Sequence, residues 1–173
     1  MDKPLKFLVD DTLRGLTKKL RMIGYDTIER GGASWWVTLG TAKQEGRVVV
    51  TLHNTLRAPP GVLVWVLQEE NTNLQVQEIL NKIPPNAVSP QPFSLCLVCN
   101  HPIDHMDPEN ARPLVPPMVA KQQSCFFQCP ICQRIYWRGS HYRKMIEWMN
   151  RWEVPQKLGL SPDDMESPNN IKD

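Results

Sequence analysis

The chain has 173 residues, 41% of them hydrophobic and 22% charged, and its formal net charge at pH 7 is +2. This length allows one or two small domains with modest cores, and so small a charge excludes a globally basic nucleic-acid binder, leaving only local basic surfaces. No apolar run reaches the roughly 18 residues of a membrane span and the first residues lack a signal-peptide pattern, so neither a membrane partner nor secretion is expected.

The first half reads as strands alternating with helices. Leu5-Lys6-Phe7-Leu8-Val9 is a short apolar strand that runs into Asp10-Asp11. From Thr12 to Ile23, Leu13, Leu16, Leu20 and Ile23 recur three and four apart, as on one helical face. Asp10 or Asp11 is placed to cap this helix, and Gly24 to end it. Tyr25 to Ile28 reads as a second strand. Trp36 to Glu45 reads as a short helix ending at Gly46, although Trp35, Trp36, Val37 and Thr38 are weak helix formers. Val48-Val49-Val50-Thr51 and Gly61 to Val66 are continuous apolar runs of the kind that form buried parallel strands. A helix from Asn73 to Ile83 carries Leu74, Val76, Ile79 and Leu80. The expected fold class over residues 1–84 is therefore α/β, a parallel sheet flanked by helices.

Pro84, Pro85 and Pro90 mark the boundary to a different kind of unit. Cys96-x-x-Cys99 and Cys129-x-x-Cys132 dominate it. Each pair presents two thiolates from one tight turn, and two pairs close a tetrahedral shell around Zn²⁺. A closed shell leaves no position for substrate, so the expected zinc is structural. His101 and His105 lie nearby, but four thiolates already fill such a shell. Cysteines paired for metal suggest a reducing compartment, cytosol or nucleus, rather than a disulfide framework. The fifth thiol, Cys125, is expected as a buried strand residue beside Phe126 and Phe127. A proline-rich segment from Pro102 to Pro117 spans between the pairs, and Phe126 to Gln128 with Ile135 to Trp137 flank the second pair as a hairpin. Ser140 is placed to cap a last helix with Met145, Trp148, Met149 and Trp152 on its apolar side. A zinc ribbon with this C-terminal helix is expected over residues 91–153. Residues 154–173, polar and rich in Pro, Asp and Asn, are expected as a disordered tail.

Five strings in this order carry a resemblance: Phe7 to Asp10, Leu20 to Asp26, Ala42 to Thr51, Pro92 to Asn100, and the second cysteine pair followed by Ile135-Tyr136-Trp137-Arg138-Gly139-Ser140-His141. Over residues 5–152 the chain resembles the mut-seven C-terminal domain family, a PIN-nuclease-like α/β domain fused to a zinc ribbon. Bacterial and archaeal members are usually free-standing, with a proposed ribonuclease role. In animals the domain is similar to a segment that follows a 3′–5′ exoribonuclease domain working in small-RNA silencing. The run from Thr51 to Ala58, with Leu56-Arg57-Ala58 and no acid, looks more like the animal version.

The resemblance implies a nuclease site of three or four carboxylates at the C-terminal edge of the sheet, holding Mg²⁺ or Mn²⁺ to activate water. Asp10 matches the family's first acid, with Asp11 beside it, and these two are the candidate catalytic residues. Where the next acid usually follows the Val48-to-Thr51 strand, this chain has His53, and Gly31 to Trp36 contains no carboxylate. Helix capping competes as the role of Asp10 and Asp11, and a plain loop residue as that of His53. Independent catalysis is not the favoured expectation.

Arg14, Lys18 and Arg21 fall on one side of the first helix. Arg134, Arg138, His141, Arg143 and Lys144 crowd around the hairpin and last helix, with Tyr136, Trp137 and Tyr142 between them. Cations that meet phosphates, beside rings that stack on bases, suit single-stranded RNA. The competing account is a solvated charged face with its aromatics in the core. The expected function is an RNA-binding accessory domain that holds single-stranded RNA for an exoribonuclease domain in the same or an associated polypeptide, in the cytoplasm or its RNA granules. A metal-dependent ribonuclease using Asp10 and Asp11 is the alternative. A third possibility is a module docking a silencing-complex scaffold protein through Trp35-Trp36 or Pro113 to Val119, with core packing as the plainer role of those residues.

Overall fold

The computed structural model describes residues 4–161 and 164–165. Lys6–Val9 (β1), Thr27–Glu29 (β2), Arg47–Thr51 (β3) and Val64–Val66 (β4) form one parallel sheet in the order β2-β1-β3-β4. Phe7 stands beside Thr27 and Val48, and Val9 beside Glu29 and Val50. Side chains alternate across a strand, so Phe7, Val9, Val48 and Val50 enter one core while Leu8 and Val49 enter another. Arg14–Ile23 (α1) and Thr72–Lys82 (α3) cover the first face, and Trp35–Glu45 (α2) covers the second through Leu39 and Ala42. Both faces are covered, which is why β1 and β3 read as unbroken apolar runs.

Neither Asp10 nor Asp11 caps α1. A 3₁₀ turn over Asp11–Leu13 precedes the helix, and no side-chain cap bond is made there. Both carboxylates are engaged elsewhere, as described below. Ser34 does cap α2, its hydroxyl accepting from Val37 N–H at 3.4 Å, and Gly46 ends it in a left-handed conformation. The cap offsets the weak helix formers that follow it.

The second half adds an antiparallel sheet of Asp104–Met106 (β5), Phe126–Gln128 (β6) and Ile135–Trp137 (β7) in the order β5-β6-β7. The hairpin lies where expected. β5 was not foreseen, because Asp104-His105-Met106 is a polar edge strand without apolar alternation. Cys125 sits half-buried just before β6 rather than within it. Pro108–Ala111 (α4) and Pro117–Gln122 (α5) occupy the proline-rich segment. Each begins on a proline, where the missing N–H has no helical partner to lose.

Ser140–Arg151 (α6) and Val154–Leu158 (α7) close the described chain. Ser140 is the first helical residue and not a cap; the capping position is Gly139, with no side-chain bond. A Cβ on Gly139 would stand 2.7 Å from Trp137 Nε1, so the indole claims the space a capping side chain would need. Met149 is fully buried in the core with α1 and α3, and Met145, Trp148 and Trp152 pack against it. Trp148 Nε1 donates to Asn73 Oδ1 at 2.9 Å, and Lys19 Nζ lies 3.6 Å above the Trp148 ring. The last helix therefore packs on the α/β core as well as following the ribbon. The disordered tail expected from residue 154 is not found over Val154–Leu158, because Val154, Pro155 and Leu158 are buried against that core. Met165 is buried there too; residues 162–163 and 166–173 lie outside the described residues. No helix among the described residues is long and apolar enough to cross a membrane.

The end of α1 sets where the second half attaches. Gly24 has φ +104°, and its N–H bonds the carbonyls of Leu20 and Arg21. A Cβ there would lie 2.1 Å from Gln91 O, and Phe93 N–H donates to Met22 O at 2.9 Å. Only glycine both turns the helix end left-handed and lets the linker lie against it. Gly24→Ala is therefore expected to cost about 1–3 kcal/mol from backbone strain alone, with more from the clash; a urea melt showing an unchanged midpoint contradicts this packing.

Candidate functional site

The two cysteine turns fold alike. Cys96 N–H donates to His101 O at 2.7 Å and Asn100 N–H to Cys96 O at 2.9 Å; Cys129 and Gln133 repeat the pattern at 3.0 and 2.9 Å with Arg134 O and Cys129 O. The residue after each second cysteine, Asn100 (φ 61°) or Gln133 (φ 59°), is left-handed, which curls each pair around one point. The four Sγ atoms lie within 4.8 Å of one another, and Cys96 Sγ is 3.7 Å from Cys132 Sγ. A tetrahedral ion with metal–sulfur bonds of about 2.3 Å spaces its sulfurs about 3.8 Å apart. Among the described residues this is the only such group of three or more Cys, His, Asp or Glu. Cysteines 96, 99, 129 and 132 thus fit a structural metal ion.

The surroundings favour thiolate at Cys96. Burial opposes its ionisation, but the Tyr136 hydroxyl at 3.1 Å and the Cys99 N–H at 3.3 Å bring its pKa down to about 6. Cys99 is pushed up to about 12, first by its contact with the Cys132 sulfur. A divalent cation supplies the countercharge that lets all four ionise. Tyr136, expected on an RNA-binding surface, is instead half-buried with its hydroxyl against the metal cluster.

Arg21 is also displaced from its expected role. It is 8% exposed; Nε donates to Thr27 O at 2.8 Å, and one terminal nitrogen donates to Leu97 O at 3.1 Å and Val98 O at 2.8 Å. This cation therefore ties α1 and β2 to the first cysteine turn, and burial lowers its pKa. Asn100 continues the seam, accepting from Thr27 N–H at 2.8 Å and donating to Asp26 Oδ1 at 2.6 Å. Arg47 grips the same carboxylate with contacts of 2.8 and 3.2 Å. Burial pushes the Asp26 pKa up, but Arg47, Asn100 and Lys6 together hold it below the usual carboxylate value.

The carboxylate edge lies at the opposite end of the parallel strands. Asp10 follows β1, is 1% exposed, and accepts through Oδ2 from Thr51 Oγ1 at 3.0 Å. His53 Nε2 stands 3.3 Å from the same oxygen, and Arg30 Nε 3.7 Å from Oδ1. Asp11 accepts from the Gly31 and Gly32 N–H groups at 2.8 and 2.9 Å, with Arg30 Nε 3.4 Å away. Both glycines have positive φ, which points successive N–H groups at one anion. Those backbone bonds, Gly32 first, lower the Asp11 pKa. Trp35 closes the group, with His53 at 5.7 Å edge-to-face and the Arg30 guanidinium 4.8 Å over its ring. The plain loop role expected of His53 is thereby replaced by a contact with a buried acid. Nothing in the sequence marks Arg30 as part of this group except its place directly before the two glycines that bind Asp11.

The remaining cations are free of such burial. Arg14, Lys18, Arg134, Arg138, His141, Arg143 and Lys144 are exposed, and the Arg138 guanidinium is 5.9 Å from the Tyr142 ring centroid. Lys144 lies one helical turn before Trp148, which Lys19 of α1 covers, so the exposed sides of α1 and α6 border one seam. Trp137 is half-buried against Phe126, Ala111 and Val115. Trp36, in contrast, is 86% exposed, against the core role that seemed plainer for it.

The family model described as the Mut7-C RNAse domain matches residues 5–149. No curated protein and no solved structure matches the chain.

Two outcomes follow from this geometry. Metal analysis of the purified chain should find one tightly bound metal ion per protein, and Cys129→Ser should lose the ion and lower the thermal midpoint of the whole chain; full stability without metal contradicts the assignment. Asp26 should make stability depend on acid. Its folded pKa is depressed, so its contribution is complete above the unfolded value of about 3.9 and fades as pH falls through the lower folded value. Wild type should exceed Asp26→Asn in denaturation midpoint at pH 6, and the gap should narrow toward pH 3.

Proposed function

Because the chain belongs to the Mut7-C RNAse domain family, an RNA-related and nuclease-associated group, we propose that it is an RNA-binding accessory module rather than a nuclease by itself. It holds single-stranded RNA for a 3′–5′ exoribonuclease domain in the same or an associated polypeptide, within small-RNA silencing in the cytoplasm and its RNA granules. The observation that carries this reading is the set of exposed cations between Arg134 and Lys144, which follow the second cysteine turn and include Arg138 beside the Tyr142 ring. Arg14 and Lys18 are further exposed cations on α1, while Arg21 and Tyr136 serve the fold that presents the ribbon. The ribbon ion in this reading is Zn²⁺. Tethering RNA beside an active site raises its local concentration and slows its escape between cuts.

The alternative, a ribonuclease in which Asp10 and Asp11 hold Mg²⁺ or Mn²⁺, finds less support. No third carboxylate joins them among the described residues, and their oxygens are already engaged by Thr51, His53, Arg30 and two backbone N–H groups. Docking of a silencing-complex scaffold keeps one specific support, the exposure of Trp36 together with Leu114 and Met118.

Fluorescence anisotropy of a labelled single-stranded RNA, with Mn²⁺ present, tests the proposal. Binding should weaken as salt rises and leave the RNA full-length. Charge reversal at Arg138, Arg143 and Lys144 together should weaken it by roughly tenfold or more, since each phosphate contact contributes separately. Shortening of the RNA that Asp10→Asn abolishes would establish the nuclease instead. Absence of binding, with a partner captured by wild type and lost in Trp36→Ala, would favour the scaffold reading.

A further inference from the structure

We propose that Arg30 is the resident cation of the carboxylate edge, its guanidinium standing where a divalent ion would have to bind between Asp10 and Asp11. The inference concerns the opposite edge of the sheet from the ribbon and does not depend on RNA binding there.

Both Asp11 oxygens accept backbone N–H groups from Gly31 and Gly32, and Asp10 Oδ2 accepts from Thr51 and faces His53. Asp10 Oδ1 alone has no hydrogen-bond partner, although Asp10 is 1% exposed. A buried carboxylate oxygen with nothing on it calls for a cation. The group facing it is Arg30 Nε at 3.7 Å, itself without a hydrogen-bond partner and 3.4 Å from Asp11 Oδ2. One guanidinium thus stands within ion-pair distance of both acids, with His53 beside Asp10 and the charge of Arg14 adding to its own at Asp11.

The rest of the edge holds that cation in place. Trp35 lies under the guanidinium, and His53 braces Trp35 from the side while reaching Asp10. Mg²⁺ needs near-octahedral oxygens at about 2.1 Å, and Mn²⁺ favours similar oxygen-rich shells. An ion placed between Asp10 and Asp11 would meet a positive charge already beside both carboxylates. The residues therefore do not fit the divalent ion that a PIN-like sheet implies; they fit a permanent internal substitute for it.

The test is a Mn²⁺ titration of the zinc-loaded chain followed by electron paramagnetic resonance. Wild type should bind no Mn²⁺ that Asp10→Asn releases. Arg30→Gln, which keeps much of the side-chain shape and removes the charge, should gain one Mn²⁺ site roughly tenfold or more above background, and Asp10→Asn in that background should abolish it. Arg30→Lys should stay like wild type. A wild-type Mn²⁺ site lost in Asp10→Asn overturns the proposal, and so does a folded Arg30→Gln that gains none. Should Arg30→Gln not fold, wild type still decides through the Gly31 and Gly32 amide resonances. Broadening by Mn²⁺ refutes a resident Arg30 cation, and insensitivity supports it.

Discussion

The architecture depends on one buried guanidinium. Arg21 leaves the end of α1, bonds Thr27 O at the start of β2, and reaches Leu97 O and Val98 O in the first cysteine turn. Charge-assisted hydrogen bonds of this kind contribute about 1.5–3 kcal/mol each where well formed, and removing the donor leaves buried acceptors unpaired. Beside it, Asn100 and Asp26 stitch the same seam. The ribbon is consequently attached to the sheet by the very turn that presents two metal ligands. Loss of the ion would loosen this attachment, so metal binding, ribbon folding and docking on the α/β unit are one cooperative event.

The seam also separates two chemistries. It lies at the end of the sheet where β2 begins, while Asp10 and Asp11 follow the end of β1. In a parallel sheet these are opposite edges, on the order of 10 Å apart for strands this short. The candidate RNA-binding cations lie on the ribbon, on α6 and on α1, with Arg14 at the start of α1 close enough to Asp11 to help lower its pKa. The acids at the far edge are closed by Arg30, His53, Thr51 and backbone N–H groups.

Much of this was legible in the sequence, for local reasons. Unbroken apolar runs gave β1 and β3, the spacing of Leu16, Leu20 and Ile23 gave α1, and the paired Cys-x-x-Cys turns gave the metal cluster. What stayed hidden was non-local. Arg14, Lys18 and Arg21 share a helical side, and no periodicity reveals that the ribbon covers only the last of them. Asp10 beside a helix start looks like a cap until β3 brings His53 and β2 brings Arg30 to it. Tyr136 in an aromatic and basic string looks like a stacking residue until the hairpin turns its hydroxyl toward Cys96. Prolines at the first positions of α4 and α5 concealed helices, and the polar composition of the longer stretch 154–173 concealed Val154 and Leu158, which the core takes up.

The most direct test of the whole account is hydrogen exchange on the zinc-loaded chain with and without single-stranded RNA. The account predicts slowed exchange over residues 134–144 and along the exposed side of α1, with the amides of Asp11, Gly31, Gly32 and His53 unchanged. Protection centred on those four residues, with the ribbon unaffected, would contradict it and return the function to the carboxylate edge.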